Sequence, residues 1–253
     1  MPTQTTPQSS SDRATQIALV TGANKGIGFE IARQLGRRGM TVYVGARDKG
    51  RGTAAAEKLR SEGLAVRFVD LDVLRDETIR AAAQTIETEH GRLDVLVNNA
   101  GIADRGDSPP SRADLEGARR TMLTNFVGPV AVVQMMLPLL RRSSAGRIVN
   151  VSSGLGSLAT CVEPPRGAST LKYFAYSASK AALNMLTVQL AFELKDTPIK
   201  VNSAAPGYTK TDLNDNQGTQ TVEEGAAEAI RLALLPADGP TGGFFSSAGP
   251  VGW

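Results

Sequence analysis

The chain reads as an α/β protein: one doubly wound parallel sheet with helices on both faces. Three observations point there. Short, nearly continuous apolar runs recur, helical stretches separate them, and polar or glycine-rich residues follow one run after another. Apolar runs without alternation suit strands buried on both faces, the usual state of a parallel sheet covered by helices. The length of 253 residues suits one large domain, 15–253, preceded by a polar tail, 1–14, that reads as disordered.

The first run, Ile17-Ala18-Leu19-Val20, ends in Thr21-Gly22-Ala23-Asn24-Lys25-Gly26-Ile27-Gly28, and a helical pattern continues through Ile31, Leu35 and Arg38. Strand, glycine turn and helix form a phosphate-binding unit, because glycine lets the backbone approach a pyrophosphate and the helix start supplies N–H groups. The glycines fall as G-x-x-x-G-x-G, not G-x-G-x-x-G. Thr41–Ala46 then reads as a strand, Gly52–Glu62 as a helix, Ala65–Asp70 as a strand and Glu77–Glu89 as a helix. Leu93–Val97 is a buried strand closed by Asn98-Asn99-Ala100-Gly101. A helical region from Arg112 to Arg141 carries Pro129 and Pro138, which predict kinks because proline has no N–H to donate. Arg147–Val151 is a strand, Phe174–Leu194 a helix, Ile199–Ser203 a strand, Glu223–Leu235 a helix and Gly243–Ser246 a last short strand.

Composition narrows the function. Lys and Arg number 28 against 25 Asp and Glu, scattered along the chain, so no basic stripe marks a nucleic-acid or membrane-surface partner. Cys161 is the single cysteine and His90 the single histidine, which excludes an intramolecular disulfide, a multi-thiolate site and a histidine cluster; no metal is expected. His90 precedes Gly91 and reads as a helix end. No stretch reads as long and apolar enough to span a bilayer, and the expectation is a soluble, cytoplasmic protein.

In a doubly wound sheet the ligand lies beyond the carboxyl ends of the strands. The residues to inspect there are Gly22 to Gly28, Arg47, Asp72, Asn98 to Gly101, Ser152-Ser153 and Pro206-Gly207. Tyr176-Ser177-Ala178-Ser179-Lys180 adds chemistry. Positions four apart share a helix face, so the Tyr176 hydroxyl and the Lys180 ammonium can enter one pocket. A tyrosine titrates near ~10, and a neighbouring cation lowers that value, making the phenol a proton donor and acceptor.

Taken together and in this order, the glycine turn, Asn98-Asn99-Ala100-Gly101, Asn125, Ser153, Tyr176 with Lys180, and Pro206-Gly207 resemble the compact, single-domain short-chain dehydrogenase/reductases. The turn itself and the stretch from Thr211-Asp212-Leu213 to Trp253 look most like the NADPH-dependent carbonyl reductases. The resemblance implies a Rossmann-type fold and reduction of a small ketone or aldehyde by NADPH. Tyr176 would be the acid or base, Lys180 would hold the nicotinamide ribose and depress the tyrosine, and Ser153 would bind the substrate oxygen. Asn125 would hold a water leading from Lys180 to solvent. Of the two serines, the family pattern selects Ser153. For the cofactor, the resemblance implies contacts from Gly22, Asn24, Lys25, Gly26, Ile27 and Gly28. Asp72 and Val73 would meet the adenine, and Asn98 the adenosine ribose, with Ala100 and Gly101 beside it. Pro206 and Gly207 would lie at the nicotinamide amide, with a hydroxyl from Thr209 or Thr211.

The second strand runs into Arg47 with no carboxylate at Gly45 or Ala46, and Lys25 stands inside the turn. An acidic residue there serves the NAD ribose, whereas arginine accommodates the NADP phosphate, so NADP(H) is expected. Ser153 and Tyr176 stand 23 positions apart, longer than is usual in the family, which leaves monomer and homodimer both open. The stretch Tyr208 to Thr221 reads as a small, mobile, polar lid, with Gly154 and Tyr208 at the substrate wall. The alternative to an enzyme is an inactive NADPH-binding sensor or scaffold of the same fold.

Overall fold

The computed structural model describes residues 15–162 and 173–253. The expected tail at 1–14 and the stretch 163–172 ahead of Tyr176 lie outside them. Eight strands form one sheet: β1 (Ile17–Thr21), β2 (Thr41–Ala46), β3 (Val66–Asp70), β4 (Val95–Asn98), β5 (Arg147–Val151), β6 (Lys200–Ala205), β7 (Phe244–Ser246) and β8 (Gly249–Pro250). Their spatial order is β3-β2-β1-β4-β5-β6-β7-β8, parallel throughout except for the antiparallel β7–β8 pair. The chain builds outward from β1 to β3 and then returns to place β4 on the other side of β1. That reversal opens a crevice at the carboxyl ends of β1 and β4.

The strand residues explain the two helical layers. Successive side chains face opposite sides, so Ala18 and Val20 of β1 pack into one core while Ile17 and Leu19 pack into the other. The first core receives α1 (Gly26–Arg37), α2 (Lys49–Ser61) and α8 (Val222–Ala233). The second receives α3 (Asp76–His90), α5 (Gly128–Leu140) and α7 (Phe174–Glu193). The described residues also form two shorter helices, α4 (Leu115–Met122) and α6 (Leu158–Val162), with α4 packed on α7.

Three local features differ from the expectation. Helix α2 begins at Lys49 and not Gly52, because the Asp48 carboxylate accepts from Arg51 N and caps it there. The region from Arg112 to Arg141 divides into α4, a π turn at Leu123–Val127, and α5 with Pro129 in its first turn. The widened turn lets Gly128 N reach Leu123 O just before the proline that has no N–H. The run Leu115–Leu140 is also long and apolar enough to cross a membrane by length and composition, contrary to the sequence reading. Half of its most apolar window is buried, with Val132, Met136 and Leu140 in the second core, which is the behaviour of a central helix.

Leu19 is fully buried at the centre of β1. Leu19→Ala should lower the unfolding free energy by about 2–5 kcal/mol through lost burial and a residual cavity. Urea denaturation should show a reduced midpoint with an unchanged slope.

Candidate active site

A cleft of about 710 Å³ runs along the carboxyl edge of the sheet, from the glycine turn to the start of α7. Its floor is the joint between β1 and β4. Gly22 has φ +64°, and a Cβ there would stand 2.8 Å from Ala100 Cα, so only glycine fits. Thr21 Oγ1 accepts from the main-chain N–H groups of Asn99 and Ala100, and the Asn99 amide donates to the carbonyls of Thr21 and Gly22. The same amide lies 2.3 Å from where a Cβ of Gly28 would be. Two residues of the asparagine-glycine motif, Asn99 and Ala100, are thereby fastened to the glycine turn.

Tyr176 lines the inner end of the cleft with Ser153 and Lys180. Removal from solvent pushes the Tyr176 phenol up to about 12, while its hydrogen bond with Ser153 works in the opposite direction. Lys180 Nζ donates to Val151 O at 2.8 Å and lies 5.6 Å from the centre of the Tyr176 ring. Burial pushes this lysine down to about 8. The expectation that Lys180 lowers the tyrosine is not met in this state: Ser153 is the group that pulls against burial. The lysine donates to a carbonyl and holds its proton less firmly than a free lysine. Ser152 is buried and turned to Lys180 O, which leaves Ser153 as the serine facing Tyr176.

Asn125 is completely buried and does not line the cleft; its neighbour Thr124 does. Its amide donates to Ile102 O at 2.8 Å and to Ser179 Oγ at 3.0 Å, and its Oδ1 accepts from Ile102 N at 2.8 Å. Both amide protons are thus taken by the protein, so the side chain acts as a clamp and has none left to give a water. Gly101 lies close by, with Asn125 Oδ1 3.3 Å and Lys180 Nζ 3.5 Å from where its Cβ would be.

At the other end of the cleft stand Lys25 and Arg47. Asp48, one residue beyond Arg47, is bound to Arg51 as the α2 cap. Asp72 and Val73 line the same end, with Asp72 Oδ1 accepting from Leu74 N. Across the mouth runs the segment 206–221. Tyr208 O accepts from Thr219 N and Gln220 N, Lys210 N donates to Gln220 O, and Thr211 with Asn214 forms a capping box. Two ion pairs tether it: Asp212 to Lys25 at 2.5 Å, and Asp215 to Arg105 at 3.0 Å. The segment, which includes the expected lid at Tyr208–Thr221, is folded on itself and paired with both walls.

Residues 16–221 match the short chain dehydrogenase family. The chain belongs to that family. Carbonyl reductase 3 of Rattus norvegicus, named for NADPH, is 40% identical, with 88% of this chain and 92% of the relative covered. Salutaridine reductase from Papaver somniferum superposes with a TM-score of 0.79 at 34% identity, covering 92% of this chain and 99% of that one. The NADPH-bound carbonyl reductase from chicken fatty liver has a TM-score of 0.83 at 29% identity, covering 94% of this chain and 99% of that one.

In this short-chain dehydrogenase most of the residues singled out from sequence do gather at the cleft. Gly22, Asn24, Lys25, Gly26, Ile27 and Gly28 line it, as do Arg47, Asp72, Val73, Ala100 and Gly101. Ser153, Tyr176, Lys180, Pro206, Gly207 and Tyr208 line it too. Asn98 does not. Its side chain points into the sheet and donates to Asn150 Oδ1, while Asn99 takes the place at the wall. Gly154 is also off the lined surface, and Leu155 stands there instead. Thr209 and Thr211 both line the cleft, but the Thr209 hydroxyl donates to Pro206 O and that of Thr211 serves the capping box. Sequence reasoning passed over Arg105 and Tyr173. No local pattern marks them, because they reach the cleft only through loops whose paths depend on distant contacts.

The depressed lysine has a thermodynamic consequence. The unfolded chain binds a proton at Lys180 more readily than the folded one, so stability rises with pH between about 8 and the free-lysine value of 10.5. The penalty is complete below that window. Lys180→Met should therefore raise the unfolding free energy of the cofactor-free protein at neutral pH by about 1–3 kcal/mol. The gain should fade towards about pH 10, as paired urea titrations would measure.

Proposed function

We propose that this protein uses NADPH to reduce ketone and aldehyde carbonyls to alcohols, reversibly, with Tyr176 as the proton carrier. The observation that carries the reading is the meeting of Tyr176, Ser153 and Lys180 at one end of a cleft whose other end is a glycine turn flanked by Lys25 and Arg47. The NADPH carbonyl reductases among its relatives support it.

The residues present fit a dinucleotide. Gly26 has φ +58° and leaves the wall open, since the nearest atom to a Cβ there would be Thr211 Cγ2 at 3.7 Å. The turn Gly22 to Gly28 would hold the pyrophosphate at the start of α1, and Asp72 with Val73 would border the adenine. Ala100 and Gly101 would lie along the cofactor, Lys180 would meet the nicotinamide ribose, and Pro206-Gly207 would border the amide. When bound, the nicotinamide supplies the hydride. Lys25 and Arg47 suit a 2′-phosphate, and Asp48 is held back by Arg51. Arg47→Glu should lower kcat/KM for NADPH by about 10–100-fold, the loss of a charge-assisted bond, and affect NADH much less. Steady-state kinetics with both cofactors test this; an equal loss with both would defeat the assignment.

The chain's own groups suit reduction. With its phenol pushed up to about 12, Tyr176 is protonated at neutral pH and can give its proton to a carbonyl oxygen. Ser153 Oγ, bonded to the same phenol, can donate to that oxygen as charge develops. Leu155, Tyr173, Tyr208 and Leu213 give the substrate end an apolar and aromatic lining, which favours bulky or aromatic carbonyl compounds. The test is NADPH consumption against a panel of aromatic ketones, aldehydes and quinones. NADPH binding without reduction of any of them would favour the sensor reading. Tyr176→Phe should lower turnover by about 10²–10⁴-fold while NADPH affinity stays close to that of the wild type.

A further inference from the structure

Among the described residues, the first turn of α7 is capped from a distance. Tyr173 precedes its first turn, and the Tyr173 side chain makes no capping bond. The cap comes from a residue 69 positions before Tyr176. Asp107, in the loop between β4 and α4, accepts from Ala175 N through Oδ1 and from Tyr176 N through Oδ2, each at 2.9 Å. We propose that Asp107 is the positioning residue for Tyr176, a detached helix cap that sets the backbone of the proton carrier against the loop after β4. The proposal rests on the reading of Tyr176 given above.

Two features make this contact more than a generic cap. A carboxylate that holds two successive N–H groups with its two oxygens fixes the rotation of the first turn as well as its height; a single acceptor would leave a pivot. The loop that carries Asp107 is itself held. Asp104 Oδ1 accepts from Gly106 N, Asp104 Oδ2 pairs with Arg120 of α4, and Asp107 N donates to Asp104 O. The carbonyl of Tyr176 is fastened as well, by Ser179 Oγ at 2.7 Å, and Ser179 is bonded to Asn125. Both main-chain polar groups of Tyr176 are therefore tied by side chains. A phenol at the end of a side chain amplifies small backbone rotations, and Ser153 is its hydrogen-bond partner.

The test compares Asp107→Ala and Asp107→Asn with Asp114→Ala. Asp114 caps α4 in the same loop, accepting from Glu116 N and Gly117 N, and lies outside the cleft lining. Three quantities are measured for each variant: kcat on a carbonyl substrate that the wild type reduces, NADPH affinity by fluorescence titration, and amide exchange of the first turn of α7. Asp107→Ala should lower kcat by about 10–100-fold, as expected for a reacting group displaced by an ångström or less. Its NADPH affinity should stay within about twofold and exchange at Ala175 and Tyr176 should accelerate; Asp107→Asn, which keeps one acceptor, should recover part of the kcat. Asp114→Ala should leave kcat within about twofold of the wild type. An unchanged kcat in folded Asp107→Ala, or a loss matched by Asp114→Ala, overturns the proposal. Should Asp107→Ala not fold, Asp107→Asn decides: unchanged kcat and unchanged exchange overturn it. A wild type that reduces no carbonyl would defeat the functional reading alone, and the exchange comparison would still judge whether Asp107 orders the first turn of α7.

Discussion

The buried amide of Asn125 is the interaction on which the site depends. Parallel strands end in loops, and loops have little order of their own. Here one side chain binds both main-chain groups of Ile102, in the loop after β4, and the hydroxyl of Ser179 in α7. Without water to compete, breaking any of these bonds would leave a polar group unsatisfied, so the three act together. The floor of the cleft and the helix bearing Tyr176 are thus set relative to one another from within the core. The π turn at Leu123–Val127 contains this asparagine, which gives the irregular helix geometry a structural purpose.

Burial acts in opposite directions on the two titratable groups at the inner end, raising the tyrosine and lowering the lysine. Both shifts push toward the uncharged form, as low polarity demands. Tyr176 is therefore held as a neutral acid, while Lys180 keeps its proton at neutral pH but less firmly than a free lysine would. A site in this state responds strongly to any charge brought beside it, because little solvent is present to screen it.

Much of the fold was legible in the sequence because it follows from local rules. The apolar runs of β1, β2 and β5 become strands of the expected extent, and the glycine turn sits at the expected junction. The Tyr176–Lys180 spacing also places both residues at one cleft, since a helix fixes which side chains share a face. The failures are of another kind. Asn98 and Asn99 are chemically identical neighbours, and only their opposite directions along the strand end decide that one crosslinks the sheet while the other lines the wall. The side-chain partners of Asn125 come from residues 23 and 54 positions away, a pairing that no local pattern shows. The π turn, the Asp107 contact and the folded segment 206–221 likewise depend on pairings that no short window of sequence contains.

The two ends of the cleft are held by different physics. The inner end is tied by buried amides and hydroxyls, whose bonds are shielded from dissolved ions. The mouth is tied by Lys25–Asp212 and Arg105–Asp215, both largely exposed to solvent. Exposed pairs are worth little and are screened over about 10 Å at ordinary ionic strength. The mouth of the cleft is thus fastened by contacts that dissolved ions weaken, and its inner end by contacts that those ions do not reach.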